Sequence, residues 1–353
     1  MTIKKVRVIG SGLIGTSIGL GLAAKKISVE MVDIDPKAQK LAQDLVGASV
    51  DGKSDLTIFA LPSSALKSVL NTEFELNPQS KFIDIGSVKT KPVLEVQESS
   101  IPVSRFCPTH PMAGREVGGA ESARGDLFEG RPWILSTKGV DEDVVEAAKE
   151  LVELLGAKAF NVETGEHDRA VALISHLPQL VVSLLAKQLT SAEASWLELS
   201  GAGLRDSTRI AESDPQLWSE IISLNREEIL SFLKIFSDDL QAIIDNLEDP
   251  GAVKSGAEKL IAQGNAGRAR IPGKHGGVAR NYTLLPVVIE DKPGQLGLLF
   301  NECANAKVNI EDLTIEHTPG QFTGLITLSL SSSDAKTLHK HLLECGWNVH
   351  SPR

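Results

Sequence analysis

The 353-residue chain shows neither a metal-ligand cluster nor an activated nucleophile in its sequence, so chemistry falls to polar residues on loops and at breaks in helices. Six residues fit that description: Ser87, His110, Glu116, His176, Asp206 and Arg209. Imidazole titrates near neutrality, so either His110 or His176 is equipped to take a proton. His110 sits in a polar loop and precedes Pro111, which stiffens the backbone beside it. His176 lies two residues before Pro178 in an apolar helical run, where the missing N–H kinks the axis and frees a carbonyl. Asp206 and Arg209 are three apart and can pair on one helical turn. Alternatively Asp206 orients Arg209, whose planar fork suits a substrate carboxylate. Each also has a plainer reading: a solvated loop histidine, a satisfied core histidine, a surface ion pair.

The elements that must position these residues begin with a strand over residues 4–9. It feeds Gly10-Ser-Gly12-Leu13-Ile14-Gly15 and then a Leu/Ile/Ala-rich helix. The spacing G-x-G-x-x-G in that context fits dinucleotide binding. The first glycine makes the tight turn, the second admits a pyrophosphate and the third lets helix and strand pack closely. The helix N-terminus offers free N–H groups to phosphate. Asp33 ends the second strand, about twenty residues on, where an acid receives ribose hydroxyls and repels a 2′-phosphate. NAD is therefore favoured over NADP. The plainer alternative is a solvated strand-end acid. Leu56–Leu61 reads as a buried parallel strand, leading through Leu61, Pro62 and Ser63 into a helix capped by Ser63 or Ser64. Lys81–Ile85 reads as a further strand with Ser87 just beyond its end, and Val103–Phe106 as one more. The loop 108–119 is long enough to suggest function. Strands at 133–136 and 158–162 bracket a helix over 141–155. The alternation predicts a doubly wound parallel sheet over residues 1–163.

From Thr164, read as a helix cap, strand patterns cease. One helix runs to about Leu189. After the polar Gly201–Arg209 segment, another starts at Asp214-Pro215 and carries a broad apolar face past Leu247. Residues 164–262 read as an all-helical domain that buries part of this face against a second subunit. Residues 263–281 hold, from Gly264 on, five glycines, one proline and five basic residues, and read as a linker. Its Arg268, Arg270 and Lys274 are either a solvated tether or a flap over an anionic site. Residues 282–353 read as βαββαβ, the ferredoxin-like order.

The net charge of −10 argues against nucleic acid or an anionic membrane as partner. No apolar run suggests a bilayer span. Three scattered cysteines suggest no disulfide framework or zinc site and fit a reducing cytoplasm. The first strand begins too early to leave room for a signal peptide.

Five motifs resemble the prephenate dehydrogenase family: the glycine turn, Asp84-Ile-Gly86-Ser87-Val-Lys89, His110-Pro-Met-Ala-Gly114, Ser175-His176-Leu-Pro178, and Gly203-Leu-Arg-Asp206-Ser-Thr-Arg209 with Asp214-Pro-x-x-Trp218. The resemblance covers essentially the first 250 residues. It implies oxidative decarboxylation of prephenate to 4-hydroxyphenylpyruvate with NAD(P)⁺, in tyrosine biosynthesis. It implies that His110 takes the hydroxyl proton, Ser87 orients that hydroxyl and Arg209 binds the ring carboxylate. His176 would line the pocket and Trp218 wall it. Arg115 and Glu116 follow the His110 motif. Arg115, with Gln179 in place of a second histidine, opens the choice between prephenate and arogenate. An arogenate dehydrogenase, or a cyclohexadienyl dehydrogenase accepting both substrates, is the nearest alternative, and a non-catalytic NAD sensor a remote one. The tail resembles an ACT domain, with Asp291, Pro293 and Gly294 in its ligand loop. That implies tyrosine or phenylalanine as effector, or a dimerisation role alone. A homodimer is expected from helical domain and tail together.

Overall fold

The computed structural model describes residues 3–47, 49, 52–115, 117–272, 282–317 and 322–353. They form two compact units, Met1–Asp238 and Asp239–Arg353.

The first unit opens on β1 (Lys5–Ile9), α1 (Leu13–Ala24), β2 (Ser28–Val32), α2 (Pro36–Val46), β3 (Leu56–Phe59), α3 (Ser63–Leu76), β4 (Lys81–Asp84) and α4 (Thr90–Gln97). It continues with β5 (Phe106–Pro111), β6 (Pro132–Leu135), α5 (Glu142–Leu154) and β7 (Lys158–Asn161). The strands lie in the order β2-β1-β3-β4-β5-β6-β7. Alternate residues of the strands face opposite helical layers. Val6, Val8, Ile58 and Trp133 pack with Ile18 of α1 and Leu151 of α5. Phe59, Phe82 and Phe106 pack with Leu70 of α3 and Val96 of α4. Both faces are covered, which is why β3 is buried throughout.

The sheet is not wholly parallel, as the sequence reading had it. β5 and β6 are antiparallel, with His110 opposite Ile134. A parallel return needs a crossover element, usually a helix. Among the described residues of 112–131 there is only a short 3₁₀ turn, Ala120–Ser122. His110 itself lies within β5 and not on a loop, and residues 103–105 form a 3₁₀ turn ahead of that strand.

The helical part runs through α6 (Thr164–Val171), a π-helical turn (Ala172–His176) and α7 (Leu177–Gln188), then α8 (Ala194–Leu197), α9 (Ala202–Thr208), α10 (Pro215–Leu224) and α11 (Arg226–Glu248). Pro178 brings a π turn in place of a simple kink, widening the ring just before it. Two helix starts differ from expectation. Pro62 precedes α3 with no side-chain cap, and Glu163, not Thr164, is the residue before α6. The helix read from Asp214 to Leu247 is two helices, broken at Asn225. Asp214 does cap α10, accepting from Gln216 N–H at 2.8 Å and Leu217 N–H at 3.2 Å. Among the described residues one stretch, Thr164–Ser191, is long and apolar enough to cross a membrane by length and composition alone, which the sequence reading passed over.

In the second unit, α12 (Val253–Arg268) is helical through Gly264 and Gly267, so the segment read as linker from residue 263 is helical to Arg268. Lys274 and the rest of that segment, residues 273–281, lie outside the described residues. Beyond it come β8 (Thr283–Glu290), α13 (Gln295–Asn305), β9 (Asp312–His317), β10 (Thr323–Leu330), α14 (Ser332–Glu344) and β11 (Asn348–Val349), the expected element order. They make a small antiparallel sheet ordered β11-β8-β10-β9. Its core includes Leu285, Val287, Leu299, Leu328 and Leu338. All three cysteines are free thiols.

Candidate active site

The turn after β1 is built for close backbone approach. Gly10 has φ +110°, and a Cβ there would lie 2.0 Å from the Ala60 carbonyl oxygen. A Cβ on Gly15 would lie 2.0 Å from the Gly10 carbonyl oxygen. Gly12 differs, because a Cβ there meets nothing within 4 Å. It stands at the α1 N-terminus, which has no side-chain cap and no acid in its first turn. The first-turn amides of an uncapped helix beside open space suit an anion.

Asp33, at the end of β2, accepts from Ser11 N–H at 2.6 Å through one oxygen and from Asp35 N–H at 2.9 Å through the other. A carboxylate has about four acceptor sites, so ribose hydroxyls can still be received. Its neighbour Ile34 is fully exposed. Leu61, Pro62 and Ser63 follow β3 at the same sheet edge. Ser64 N–H there donates to Glu220 Oε1 of α10 at 3.3 Å.

Two strands over, a buried ion pair fixes the chemistry-bearing segment. Lys89 Nζ bonds Asp84 and also donates to the Thr109 carbonyl at 2.6 Å. Asp84 accepts from Gly86 N–H at 3.0 Å and Thr109 N–H at 3.2 Å. Trp133 Nε1 donates to Thr109 Oγ1 at 3.0 Å, tying in β6. Burial pushes the Asp84 carboxyl up and the Lys89 ammonium down, against their mutual attraction. The network sets β4 against β5. Ser87, three residues past Asp84, and His110, next to Thr109, are thereby held on a common frame.

His110 Nδ1 lies 2.8 Å from Nε2 of His167 on α6. His167 Nδ1 lies 2.8 Å from Asp168 Oδ1. Burial, with His167, Lys89 and His176 nearby, holds His110 well below the usual histidine range. His110 is half-buried, and His176 is buried. Its Nδ1 accepts from Asn225 Nδ2 at 3.1 Å, and the same amide donates to the Asp168 carbonyl at 2.7 Å. Burial lowers the His176 pKa to about 4. The Trp218 ring meets His176 edge-on, centroids 6.0 Å apart. Both imidazoles are therefore neutral near pH 7.

Arg209 is exposed in a 3₁₀ turn, Arg209–Ala211, that packs against α7. Arg115 is exposed and donates to the Ser122 carbonyl at 2.8 Å. Glu116 lies outside the described residues. In the second unit Asp291, Pro293 and Gly294 line a cleft with Gln295, Ile315 and Gly324. Sequence reading missed His167, Asp168 and Asn225. The first two stand in the Glu166-His-Asp-Arg run at a helix start, and Asn225 is the lone polar break in an apolar stripe.

A glycine turn of this geometry on a mostly parallel sheet, with a neutral imidazole three strands away on β5, describes a dinucleotide-dependent dehydrogenase. Residues 18–161 match the family model of the prephenate dehydrogenase nucleotide-binding domain, and residues 163–260 that of the prephenate dehydrogenase dimerization domain. The chain belongs to the prephenate dehydrogenase family, whose members are oxidoreductases. It is 29% identical to a probable prephenate dehydrogenase, NovF, of Streptomyces niveus, over 98% of this chain and 99% of the relative. It is 25% identical to the prephenate dehydrogenase of Bacillus subtilis, over 95% and 94%. The crystal structure of prephenate dehydrogenase from A. aeolicus, in complex with hydroxyphenyl propionate and NAD⁺, superposes with a TM-score of 0.65. It covers 76% of this chain and 97% of that one at 24% identity.

Proposed function

We propose that the protein catalyses the NAD⁺-dependent oxidative decarboxylation of prephenate to 4-hydroxyphenylpyruvate. The observation that carries this reading is the pair of neutral imidazoles, half-buried His110 and buried His176, joined through His167, Asp168 and Asn225. The glycine turn fits NAD⁺: Gly12 leaves room for the pyrophosphate, the Leu13 and Ile14 amides face it, and Asp33 receives the adenosine ribose. Leu61, Pro62 and Ser63 line the next stretch of the cofactor groove. Ile34 offers no cation for a 2′-phosphate, which supports NAD⁺ over NADP⁺. Bound NAD⁺ supplies the acceptor for the hydride that leaves the ring carbon bearing the hydroxyl. His110, neutral at physiological pH, takes the hydroxyl proton, and Ser87 orients that hydroxyl. Arg209 binds the ring carboxylate until it leaves as CO₂, and Trp218 walls the ring. His176 donates a hydrogen bond within the pocket. Arg115 is assigned to the side-chain end of the substrate.

An initial-rate assay crossing prephenate and arogenate with NAD⁺ and NADP⁺ tests this. The highest kcat/KM should come with prephenate and NAD⁺. A preference for arogenate would move the assignment to the neighbouring specificity, and no turnover with either would reduce the protein to a dinucleotide sensor.

The apolar surface of the helical part, including exposed Leu184, Leu185, Leu230 and Ile235, supports a homodimer. That demand also explains the apolar character of Thr164–Ser191 without a membrane, since the same stretch carries His167, Asp168 and His176 into the site. The C-terminal sheet, with its cleft at Asp291, Pro293 and Gly294, is assigned as an ACT domain of ferredoxin-like form that takes tyrosine or phenylalanine as effector. Domain limits of 1–163, 164–262 and 282–353 accompany this reading. A cytoplasmic location fits three free thiols.

A further inference from the structure

We infer that His167 and Asp168 form a positioning relay that fixes the tautomer of His110, so that its Nε2 is the atom that receives the substrate proton. The kinetic part of this inference rests on the dehydrogenase reading above; the tautomer does not.

The argument starts at Asp168. Its Oδ1 accepts from the Lys89 N–H at 2.7 Å and its Oδ2 from the Thr90 N–H at 2.8 Å, at the first residues of α4. Burial alone would raise its pKa, but the bonds from His167, Thr90 and Lys89 outweigh it and hold the carboxyl below its ordinary range. An ionised carboxylate is an acceptor only. At 2.8 Å, His167 must therefore place its proton on Nδ1. In neutral His167 the Nε2 is then a lone pair and needs a donor. The group at 2.8 Å is His110 Nδ1, so His110 carries its proton there. Its Nε2 is left as the acceptor.

His176 has the opposite arrangement. Its Nδ1 accepts from Asn225, so its Nε2 carries the proton and donates. The two site imidazoles are thus set in opposite tautomers by different neighbours, since the hydrogen bond at one ring nitrogen fixes the role of the other.

The proton count closes without transfer along the chain. The substrate O–H bond breaks and an Nε2–H bond forms on His110. The resulting imidazolium keeps its Nδ1–H, and the bond from that group to His167 becomes charge-assisted. The Asp168 carboxylate, one ring further, offsets the new charge. His110 returns its proton to solvent after product leaves.

The test uses the full-length protein labelled with ¹⁵N-histidine. Ring-nitrogen correlations should show His110 protonated at Nδ1 and His176 at Nε2. Protonation of His110 at Nε2 in the resting protein would overturn the relay. Kinetics give the second arm. In Asp168→Asn the amide NH₂ can donate to His167 Nδ1, which reverses both tautomers downstream. Its kcat should fall by about 10²–10⁴, with the KM for NAD⁺ unchanged. His167→Phe should lose a similar factor, and His167→Gln, whose carbonyl can accept from His110, should recover most of it. Wild-type kcat in Asp168→Asn or His167→Phe would sink the proposal. If Asp168→Asn fails to fold, the two His167 variants decide. A wild-type protein that does not oxidise prephenate would refute the functional reading and leave the ¹⁵N result standing on its own.

Discussion

Asn225 interrupts the run from Pro215 to Glu248 and gives its side-chain amide to His176, Nδ2 to Nδ1 at 3.1 Å. Its other N–H goes to the Asp168 carbonyl at 2.7 Å, so one buried amide joins the two arms of the site. Asn225→Leu should leave the buried His176 ring nitrogen without its donor and the Asp168 carbonyl with only its backbone partner, the Ala172 N–H. That costs about 1–3 kcal/mol. His176 would also lose the partner that sets its tautomer. Urea denaturation should show the stability loss, and steady-state kinetics a raised KM for prephenate with the KM for NAD⁺ unmoved. An unchanged KM for prephenate would remove His176 from the substrate pocket.

Burial of His176 has a pH consequence. Its pKa falls from an ordinary 6.5 to about 4 in the folded protein. Between these values the unfolded chain binds the proton more readily than the folded one. Stability is therefore full above pH 6.5 and is lost as pH falls towards 4. For a shift of this size the loss is about 3 kcal/mol. His110, also held neutral by burial, acts in the same direction. Denaturation midpoints measured across this window should fall with acidification. His176→Gln, which can still accept from Asn225, should flatten the slope. An equally steep profile in that variant would assign the effect elsewhere.

The glycine turn separates folding from binding. Gly15→Ala puts a methyl group 2.0 Å from the Gly10 carbonyl oxygen, so helix and strand must move apart. Such overpacking costs about 1–3 kcal/mol. Gly12→Ala meets nothing within 4 Å and should leave stability within about 0.5 kcal/mol of wild type. Its methyl group nonetheless occupies the space assigned to the pyrophosphate. The expected outcome is a thermal midpoint near wild type with NAD⁺ affinity down about tenfold or more, equivalent to ~1.4 kcal/mol. Titration calorimetry on both variants checks the contrast. Normal NAD⁺ binding by Gly12→Ala would move the cofactor away from this turn.

Local signals made part of this legible. The glycine spacing, the apolar strand at Leu56 and the Pro178 break are written in contiguous residues. Ser87, His110, His176 and Arg209 stood out because polar residues beside turns and kinks are few. The relay did not stand out, because His167 and Asp168 sit in an ordinary charged first turn of a helix. Their partners Lys89, Thr90 and His110 are 57 to 79 residues away. Asn225 vanished inside an apolar stripe whose period continues across it. The antiparallel β5–β6 pair was readable in principle: residues 112–131 have no helical pattern long enough for a parallel crossover. The helical stretch of α12 through Gly264 and Gly267 was not readable, since glycine disfavours helix.

The Asp84–Lys89 pair links stability to the geometry of the site. Both side chains are almost wholly buried, at 4% and 0% exposure. Lys89 also reaches the Thr109 carbonyl, one residue from His110. Lys89→Met should leave the Asp84 carboxylate with backbone donors only, and breaking a buried pair in this way costs about 3–5 kcal/mol. Asp84→Asn in the same background removes the uncompensated charge and should return much of that loss. Activity should not return with it. Without Lys89, β4 and β5 lose the side chain that holds Ser87 and His110 on one frame, and a displacement near 1 Å costs about 10²-fold in rate. Chemical denaturation and kcat, measured on the single and double variants, should therefore part company. A double variant restored in both would make the pair a matter of folding alone.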